Sequence, residues 1–486
     1  MVTLSRAQRM TAEEAEVKKT HNFVGGKWIP AQATGEIEVI NPTTEEVFAV
    51  VPEGTAGDVA PAVEAAATAF PGWSETTIEQ RADMLRKFAR LTEARAEELT
   101  FTGVSEVGQP AAAARVFQTQ GAVGELDLMA EILPEMDWNI PEGKAVVRRV
   151  AGGVVGAITA WNGPLRSVIS KAGAAMAAGC TVVVKPSEVA PMTAYIFAEI
   201  CEEAGLPPGV FNLVSGTGPV VGEAIVAHPA VDIVSLTGSV RAGRRVMEVA
   251  AQDIKRVHLE LGGKSANILF EDADIDHAIS VGIEDAFRNA GQVCGGLTRI
   301  LVPRTLLAKV EEAAKAKAES FVIGDPFDPA TTLGPVATAA ARERIRGYIN
   351  LGQRQGARMI TGGAEPPMGL NRGFFVKPTV FSGDNSMRIA QEEIFGPVVV
   401  IIPFDGEDDA VRIANDSAYG LAGGLWCRDV ERARAIARRI RTGRVRINGT
   451  PLEKRAPHGG FKHSGIGREW GRYGIEEFLE YQSIIG

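Results

Sequence analysis

The sequence predicts an α/β protein built on two doubly wound parallel sheets, with a small β ribbon projecting from them. Three observations carry this. The chain has 486 residues, room for about three domains. Two stretches, 154–261 and 267–448, alternate short apolar runs with amphipathic ones, the pattern of parallel strands covered by helices on both faces. Between them and the N-terminal part, Pro134 and Pro141 bracket a segment that cannot bury itself alone and leads into a strand at 145–150.

In chain order, residues 23–51 read as short strands broken by Gly25-Gly26, Gly35 and Asn41-Pro42. Helices are expected over 59–70, ended by Pro71-Gly72, then over 78–103 with Leu85, Phe88, Leu91 and Leu99 at helical spacing, and over 111–132. The ribbon is expected to pair with another subunit, or else to form an edge hairpin. Strands at 154–160, 181–185, 210–214, 233–237 and 256–261 then alternate with helices at 165–178, 193–204, 220–227 and 241–251. A second alternation places strands at 267–270, 298–302, 398–404, 424–427 and 445–448. Its helices are expected over 275–287, 306–320, 339–355, 408–415 and 430–440. The tail, 475–485, is strand-like at its end and suits pairing with a neighbour's ribbon. The expected units are 1–128 with 151–262, 263–467, and a ribbon and tail at 129–150 and 468–486.

Composition narrows the function. With 45% apolar and 23% charged residues, the chain has ample material for a large core. A net charge of −9 without a long basic block argues against nucleic acid as a partner. Cys180, Cys201, Cys294 and Cys427 lie far apart without metal-ligand spacing, so neither a disulfide framework nor a metal site is expected. That usage fits a reduced, cytoplasmic setting. Residues 1–20 are polar, without the apolar core of a signal peptide or a membrane span, and are expected to form a frayed or locally docked extension. No apolar run reaches the roughly 18 residues of a transmembrane helix.

Doubly wound sheets bind ligands outside the carboxyl ends of their strands, and the distinctive residues fall there. Cys294 follows a break at Ala290-Gly291 between a helix and a strand, where a thiol can be held rigidly and still meet a substrate. A small buried hydrophobe is the alternative reading. Gly216-Thr217-Gly218 and Thr237-Gly238-Ser239 each follow a strand, and the second opens a helix, as a phosphate site would. Neither matches G-x-G-x-x-G, so ordinary glycine turns stay open. Glu188, just beyond Lys185 at a strand end, suits a ribose diol and would repel a 2′-phosphate; a solvated Lys–Glu pair is the alternative. Glu260, beside Gly262-Gly263, could act as a general base if buried. Asn162, after the first strand of the run, could donate to an oxyanion.

Taken together these stretches are specific. Gly153 to Thr159 with Trp161-Asn162, Val182 to Glu188, Leu236 to Ser239, Leu259 to Lys264, Asn289 to Cys294, Glu392 to Val398 and Gly459 to Glu469 occur in one order. In these the chain resembles the aldehyde dehydrogenase superfamily from about Phe23 to Gly486. The resemblance implies a Rossmann-like cofactor domain, a catalytic domain and an oligomerisation ribbon, in a homodimer or homotetramer. It implies oxidation of a small-molecule aldehyde to an acid, with hydride passing to NAD. Cys294 would attack the aldehyde, Asn162 and the Cys294 backbone N–H would hold the oxyanion, and Glu260 would activate water on the thioester. Lys171 and Glu469 match positions linked to proton relay. Lys185 and Glu188 would hold the adenosine ribose, Ser239 the pyrophosphate, and Glu393 the nicotinamide ribose beside Phe395. Thr159, Trp161, Gly218, Thr237, Gly238 and Leu261 would line the same cofactor. Glu188 favours NAD over NADP. Retained Glu260 favours hydrolysis over acyl transfer to a thiol.

The chain departs from the family around the substrate. Gly163 and His458 stand where an aromatic is common, and Arg166, Ser167 and Ser170 where apolar residues usually line the pocket. Gly295-Gly296-Leu297 replaces the common Ala-Gly pair after the cysteine. A wider, more polar mouth follows, suited to a bulky or anionic aldehyde, with Arg166 as the candidate carboxylate contact; an Arg that snorkels to solvent is the alternative.

Overall fold

The structure is a computed structural model and describes residues 17–32 and 35–486. The expected extension at 1–20 falls outside the described residues up to residue 16, and Val17–Lys18 is a short strand beside Val47–Pro52.

Among the described residues the first large sheet has eight strands. Its parallel centre runs Arg256–Glu260, Ile233–Thr237, Val154–Ile158, Thr181–Lys185, Phe211–Leu213. Val154–Ile158 and Thr181–Lys185 at its middle are largely apolar and buried along their whole length. Val182 and Val184 pack into one core with Phe197 and Phe211, while Val183 packs into another with Val63 and Val234. The earliest of these strands, Val154–Ile158, lies between the second and the fourth. The winding therefore reverses between Val154–Ile158 and Ile233–Thr237, and a crevice opens at their carboxyl ends. Two antiparallel edges close the sheet. His21–Val24 and Lys27–Pro30 form a hairpin at one side, and Gly465–Ile466 returns late in the chain to pair with Arg256–Glu260 at the other.

The second sheet has seven strands in the order Arg358–Thr361, Thr379–Ser382, Val398–Phe404, Arg299–Pro303, Ala266–Leu269, Ala422–Trp426, Arg444–Ile447. All pairs are parallel except the edge strand Arg358–Thr361. Helices such as Ile275–Phe287 and Ala339–Arg354 cover it, burying Ile279, Ile283, Ile345 and Ile349 against its valines and isoleucines. The ribbon is a three-stranded antiparallel sheet of Asn139–Glu142, Ala145–Ala151 and Leu479–Ile485.

Several expectations are corrected. The tail does not need a neighbour's ribbon, because Leu479–Ile485 pairs with Ala145–Ala151 of its own chain along seven residues. The helix expected to stop at Pro71 runs Val59–Ser74. Trp73 is buried and its indole N–H donates to the Met176 carbonyl at 3.2 Å, which holds the turn past the proline. Two strands of the second sheet are absent from the sequence reading. Thr379–Ser382 begins just after Pro378 and is half polar, and Arg358–Thr361 is an irregular, partly exposed edge, so neither reads as an apolar run. The helical stretches 111–132 and 164–178 each contain a wider turn, at Arg115–Gln120 and Ile169–Gly173.

Candidate active site

The thiol is delivered by a turn that regular helix geometry cannot make. Asp274 caps the Ile275–Phe287 helix by accepting from the His277 N–H at 3.1 Å. Beyond its other end Asn289, Ala290 and Gly291 take left-handed φ values of 51°, 53° and 73°. For Ala290 this costs about 1–2 kcal/mol, so surrounding contacts must hold it. Gln292 is fully buried. Its Nε2 donates to the Asn289 carbonyl at 3.0 Å and its Oε1 accepts from the Ala337 N–H at 2.8 Å. Gly291 lies flat on the Gly396–Pro397 backbone, where any Cβ would collide.

Asn162 is tied to this turn from the other sheet. Its Nδ2 donates to the Gln292 carbonyl at 3.0 Å, and its own carbonyl accepts from Asn289 Nδ2 and Gln118 Nε2, each at 3.1 Å. One amide N–H of Asn162 stays available. Glu260, at the carboxyl end of Arg256–Glu260, is buried, and neither carboxylate oxygen has a hydrogen bond among the described residues. Burial, then the nearby Glu469 carboxylate, push its pKa well above the usual range. Two imidazoles face it: His458 Nε2 is 3.4 Å from Oε2, and His258 Nε2 is 4.0 Å from Oε1. Arg444 Nη1 lies 2.8 Å from His458 Nδ1. An arginine can only donate, so Nδ1 accepts and the ring proton sits on Nε2, toward Glu260. His458 also stacks on Trp470 with centroids 4.5 Å apart. Burial and then Arg444 keep it neutral, well below the ordinary histidine pKa.

Cys294 is partly buried, and burial, then the negative potential of Glu260, push its thiol up to about 12. It needs a base to become a nucleophile. Behind the cavity, Lys171 Nζ donates to Glu469 Oε1 at 2.9 Å and to Ser235 Oγ at 3.2 Å. Ser235 Oγ meets His258 Nδ1 at 2.8 Å. Burial raises Glu469, but the charge and hydrogen bond of Lys171 outweigh it and hold the carboxyl low.

One cavity thus brings together Cys294, Glu260, Asn162, Glu469, Gly163, Arg166, Ser167, Ser170 and His458, with Thr237 and Leu261 also in its lining. Arg166 neither snorkels nor stands free. It is 3.6 Å from Glu125, and its guanidinium lies 4.6 Å from the Phe117 ring centre.

Of the remaining singled-out residues, Gly218 lines a second cleft, at the winding reversal of the first sheet. Ile158, Gly218, Gly222, Leu236, Arg241 and Val246 line it, and its wall is mostly apolar. Lys185 Nζ donates to Glu188 Oε2 at 2.9 Å, and Glu188 also reaches the Gly218 N–H. Ser239 caps the Val240–Ala250 helix, accepting from the Ala242 N–H at 3.2 Å and leaving its own O–H to donate. Thr159 and Gly238 donate backbone N–H groups to the Lys185 and Glu260 carbonyls, at 3.1 and 3.0 Å. Leu261 donates to the Ser464 carbonyl at 3.0 Å. Nearer the thiol, Glu393 Oε1 accepts from the Gly263 N–H at 3.0 Å. Phe395, itself left-handed at φ 53°, meets Trp161 edge-on at 5.5 Å. The donor set fits a dinucleotide: apolar walls, a helix N-terminus and two carboxylates.

Sequence reasoning missed His258, Ser235, Gln292, Arg288, Arg444 and Trp470. His258 had a signal, a ring with two polar nitrogens in an otherwise buried strand. Arg444 had a weaker one, a charge opening the Arg444–Ile447 strand.

The family model described as the aldehyde dehydrogenase family matches residues 28–484. The chain belongs to the aldehyde dehydrogenase family. Its reaction is the oxidation of an aldehyde to a carboxylic acid, with hydride passing to NAD through a cysteine-bound intermediate. The 3-succinoylsemialdehyde-pyridine dehydrogenase of a Pseudomonas species is 45% identical over 466 residues, covering 96% of this chain and 98% of that one. Aldehyde dehydrogenase C of Pseudomonas syringae, crystallised as a cysteine-to-alanine mutant with NAD+ and octanal, is 46% identical, with a TM-score of 0.95 over 96% of each chain. A Mycobacterium tuberculosis aldehyde dehydrogenase complexed with NAD+ is 40% identical, with a TM-score of 0.94 over 97% of this chain and 99% of that one.

Proposed function

We propose that Cys294 is the nucleophile, Asn162 and the Cys294 backbone N–H the oxyanion donors, and Glu260 the general base. The single observation behind this is the convergence of the three on one cavity, with Asn162 Nδ2 bonded to the loop that carries the thiol. When bound, NAD takes up the hydride. The chain's own groups do the rest. Ionised Glu260 takes the thiol proton, and the sulfur adds to the aldehyde carbon. The oxyanion collects the two N–H donors, a contribution of about 3–4 kcal/mol per donor in comparable sites. Once the hydride has left, the carbonyl re-forms as a thioester on Cys294. Glu260 then draws a proton from water, the hydroxide adds, the C–S bond breaks, and the acid leaves with the thiolate restored. The sum is aldehyde, NAD+ and water to acid, NADH and a proton. Lys171 and Glu469, through Ser235 and His258, carry protons away from Glu260.

Residues 1–128 with 151–262 hold the cofactor, through Thr159, Trp161, Lys185, Glu188, Gly218, Thr237, Gly238, Ser239 and Leu261. Residues 263–467 supply Cys294, Glu393 and Phe395. Glu188 prefers NAD, since its carboxylate accepts from ribose hydroxyls and repels a 2′-phosphate. Gly163, Arg166, Ser167, Ser170 and His458 shape the substrate mouth. The ribbon and tail at 129–150 and 468–486 make a homodimer or homotetramer, in the cytoplasm, where four free thiols stay reduced.

The test is NADH absorbance on a panel of aliphatic, aromatic and semialdehyde substrates, octanal included, with NAD+ and NADP+ in parallel. Activity is expected with NAD+ and is expected to vanish in Cys294→Ala. Equal rates with NADP+ would remove the role given to Glu188.

A further inference from the structure

The chain as a whole is acidic, with a net charge of −9, yet its substrate cavity is cationic. Arg166, Arg288 and Arg444 all line it. Lys454 stands above Trp470, with Nζ 3.6 Å from the ring centre. Two other charges in the wall are already accounted for. Glu469 is paired with Lys171, and Glu260 lies buried against two neutral imidazoles.

Two carboxylates remain to balance these cations, and neither does so well. Glu125 stands 3.6 Å from Arg166 and also serves Lys454. Asp285 stands 3.6 Å from Arg288 but bonds more closely, at 2.9 Å, to Arg446. Arg444 has no carboxylate within ion-pair distance among the described residues, and its hydrogen bond goes to the neutral His458. The Nε atoms of all three cavity arginines, and Lys454 Nζ, are buried without a hydrogen-bond partner. Buried cations with spare donors are costly unless an anion completes them. The fold makes room for this arrangement. A Cβ at Gly295, next to the thiol, would sit 2.6 Å from Arg444 Nη2, so the glycine is what admits the guanidinium beside Cys294. Phe117 carries two guanidinium groups, Arg166 at 4.6 Å and Arg288 at 4.9 Å from its centre, which keeps both forks at the cavity wall.

We propose that the substrate is an aldehyde whose far end bears an anionic oxygen group, carboxylate or phosphate, held by Arg444 and Arg288. This rests on Cys294 being the nucleophile of the same cavity. It also shifts the carboxylate contact away from Arg166, which Glu125 already engages. A guanidinium offers a planar fork of N–H donors that matches either anion. Ser167 and Ser170 add hydroxyls to the lining of the same cavity.

The test compares isosteric substrates. The probes are 4-oxobutanoate, its neutral methyl ester, 3-phosphonooxypropanal and octanal, each measured as kcat/KM at low and high salt. The wild-type enzyme is expected to prefer the free acid or the phosphate over the ester by on the order of tenfold or more, the worth of a charge-assisted hydrogen bond. The preference should lie in KM and shrink with salt. Which of the two anions leads identifies the group. In Arg444→Met and Arg288→Met the acid-to-ester ratio should fall toward one, and Arg444→Lys should retain more of it than Arg444→Met. The ratio is internal to each variant, so a poorly folded one still reports it, and either arginine serves if the other variant is lost. An ester or octanal turned over as well as the acid by wild type overturns the proposal. So does a ratio unchanged in both methionine variants. Absence of NADH with every aldehyde would instead overturn the reading on which it rests.

Discussion

Glu260 shows how a single residue's surroundings set its chemistry. Its oxygens lack hydrogen bonds, it is buried, and its pKa is raised. The base form therefore appears only as pH climbs past the ordinary carboxylate range. Steady-state turnover should fall as pH is lowered through that raised pKa, and Glu260→Gln should remove this limb of the kcat profile. His458 is the adjacent control point. With Arg444 fixing its proton on Nε2, it turns that N–H toward Glu260, 3.4 Å away, where a carboxylate gaining charge can take it up. His458→Phe takes that donor away and leaves Arg444 without its acceptor. Hydrolysis of the thioester should slow by about tenfold, roughly 1.4 kcal/mol, and a rapid-mixing experiment should show a larger NADH burst before a slower steady rate. A burst and steady rate equal to wild type would deny His458 this part. Cys294, Glu260 and Asn162 were legible as candidates because each sits in a local motif, the first on a Gly-flanked turn and the other two at strand ends. His258, Arg288 and Arg444 were not, because each meets the site only through pairing of distant strands and helices, which no local pattern encodes.

Among the elements, the Met192–Glu203 helix has an unusual start. Pro191 at its N-cap supplies no side-chain acceptor, and Glu106, from the Ala96–Val107 helix, provides one instead. Its Oε1 accepts from the Met192 N–H at 2.6 Å, and full burial raises its pKa to about 8. The sign follows from that direction. A carboxyl whose pKa is raised on folding stabilises the native state while protonated, and this is lost as pH rises from roughly 4 toward 8. Thermal melts between pH 5 and 8.5 should show a drop that Glu106→Gln flattens, because the amide keeps an acceptor and does not titrate. An equal slope in the variant would place the pH dependence elsewhere. Most long elements were readable from periodicity. The exceptions share a cause: Thr379–Ser382 and Arg358–Thr361 are short and half polar, and the last turn at Pro71 is held by the tertiary contact of Trp73.

At the level of the molecule, the reacting groups come from two sheets whose relative placement must not drift. Ser464 is one staple between them. Its hydroxyl donates to the Gly262 carbonyl at 2.7 Å and accepts from the Gly420 N–H at 2.9 Å, while its carbonyl accepts from Leu261. Gly465–Ile466, directly after it, pairs with Leu259 and Glu260. Ser464→Ala strands two buried backbone groups, at a cost of about 1–3 kcal/mol. Calorimetry should record a lower Tm, and kcat/KM should fall with it, since Glu260 and Cys294 would lose registration. An unchanged Tm would show the staple to be redundant. The two alternating runs, split at Gly262-Gly263, were plain in the sequence. The late return of Gly465–Ile466 to the first sheet, and the tail's pairing with its own ribbon, were not, because both are closures over hundreds of residues.

The flat contact of Gly291 on the Gly396–Pro397 backbone has a consequence for how this enzyme can change. It gears the thiol's loop to the loop of Phe395, so a substitution in either would disturb chemistry and cofactor at once. Arg166 and Ser170 stand on neither of these loops. Substrate range can therefore be retuned at Arg166 or Ser170 while the reacting loops stay as they are, and a search for altered specificity is best begun there.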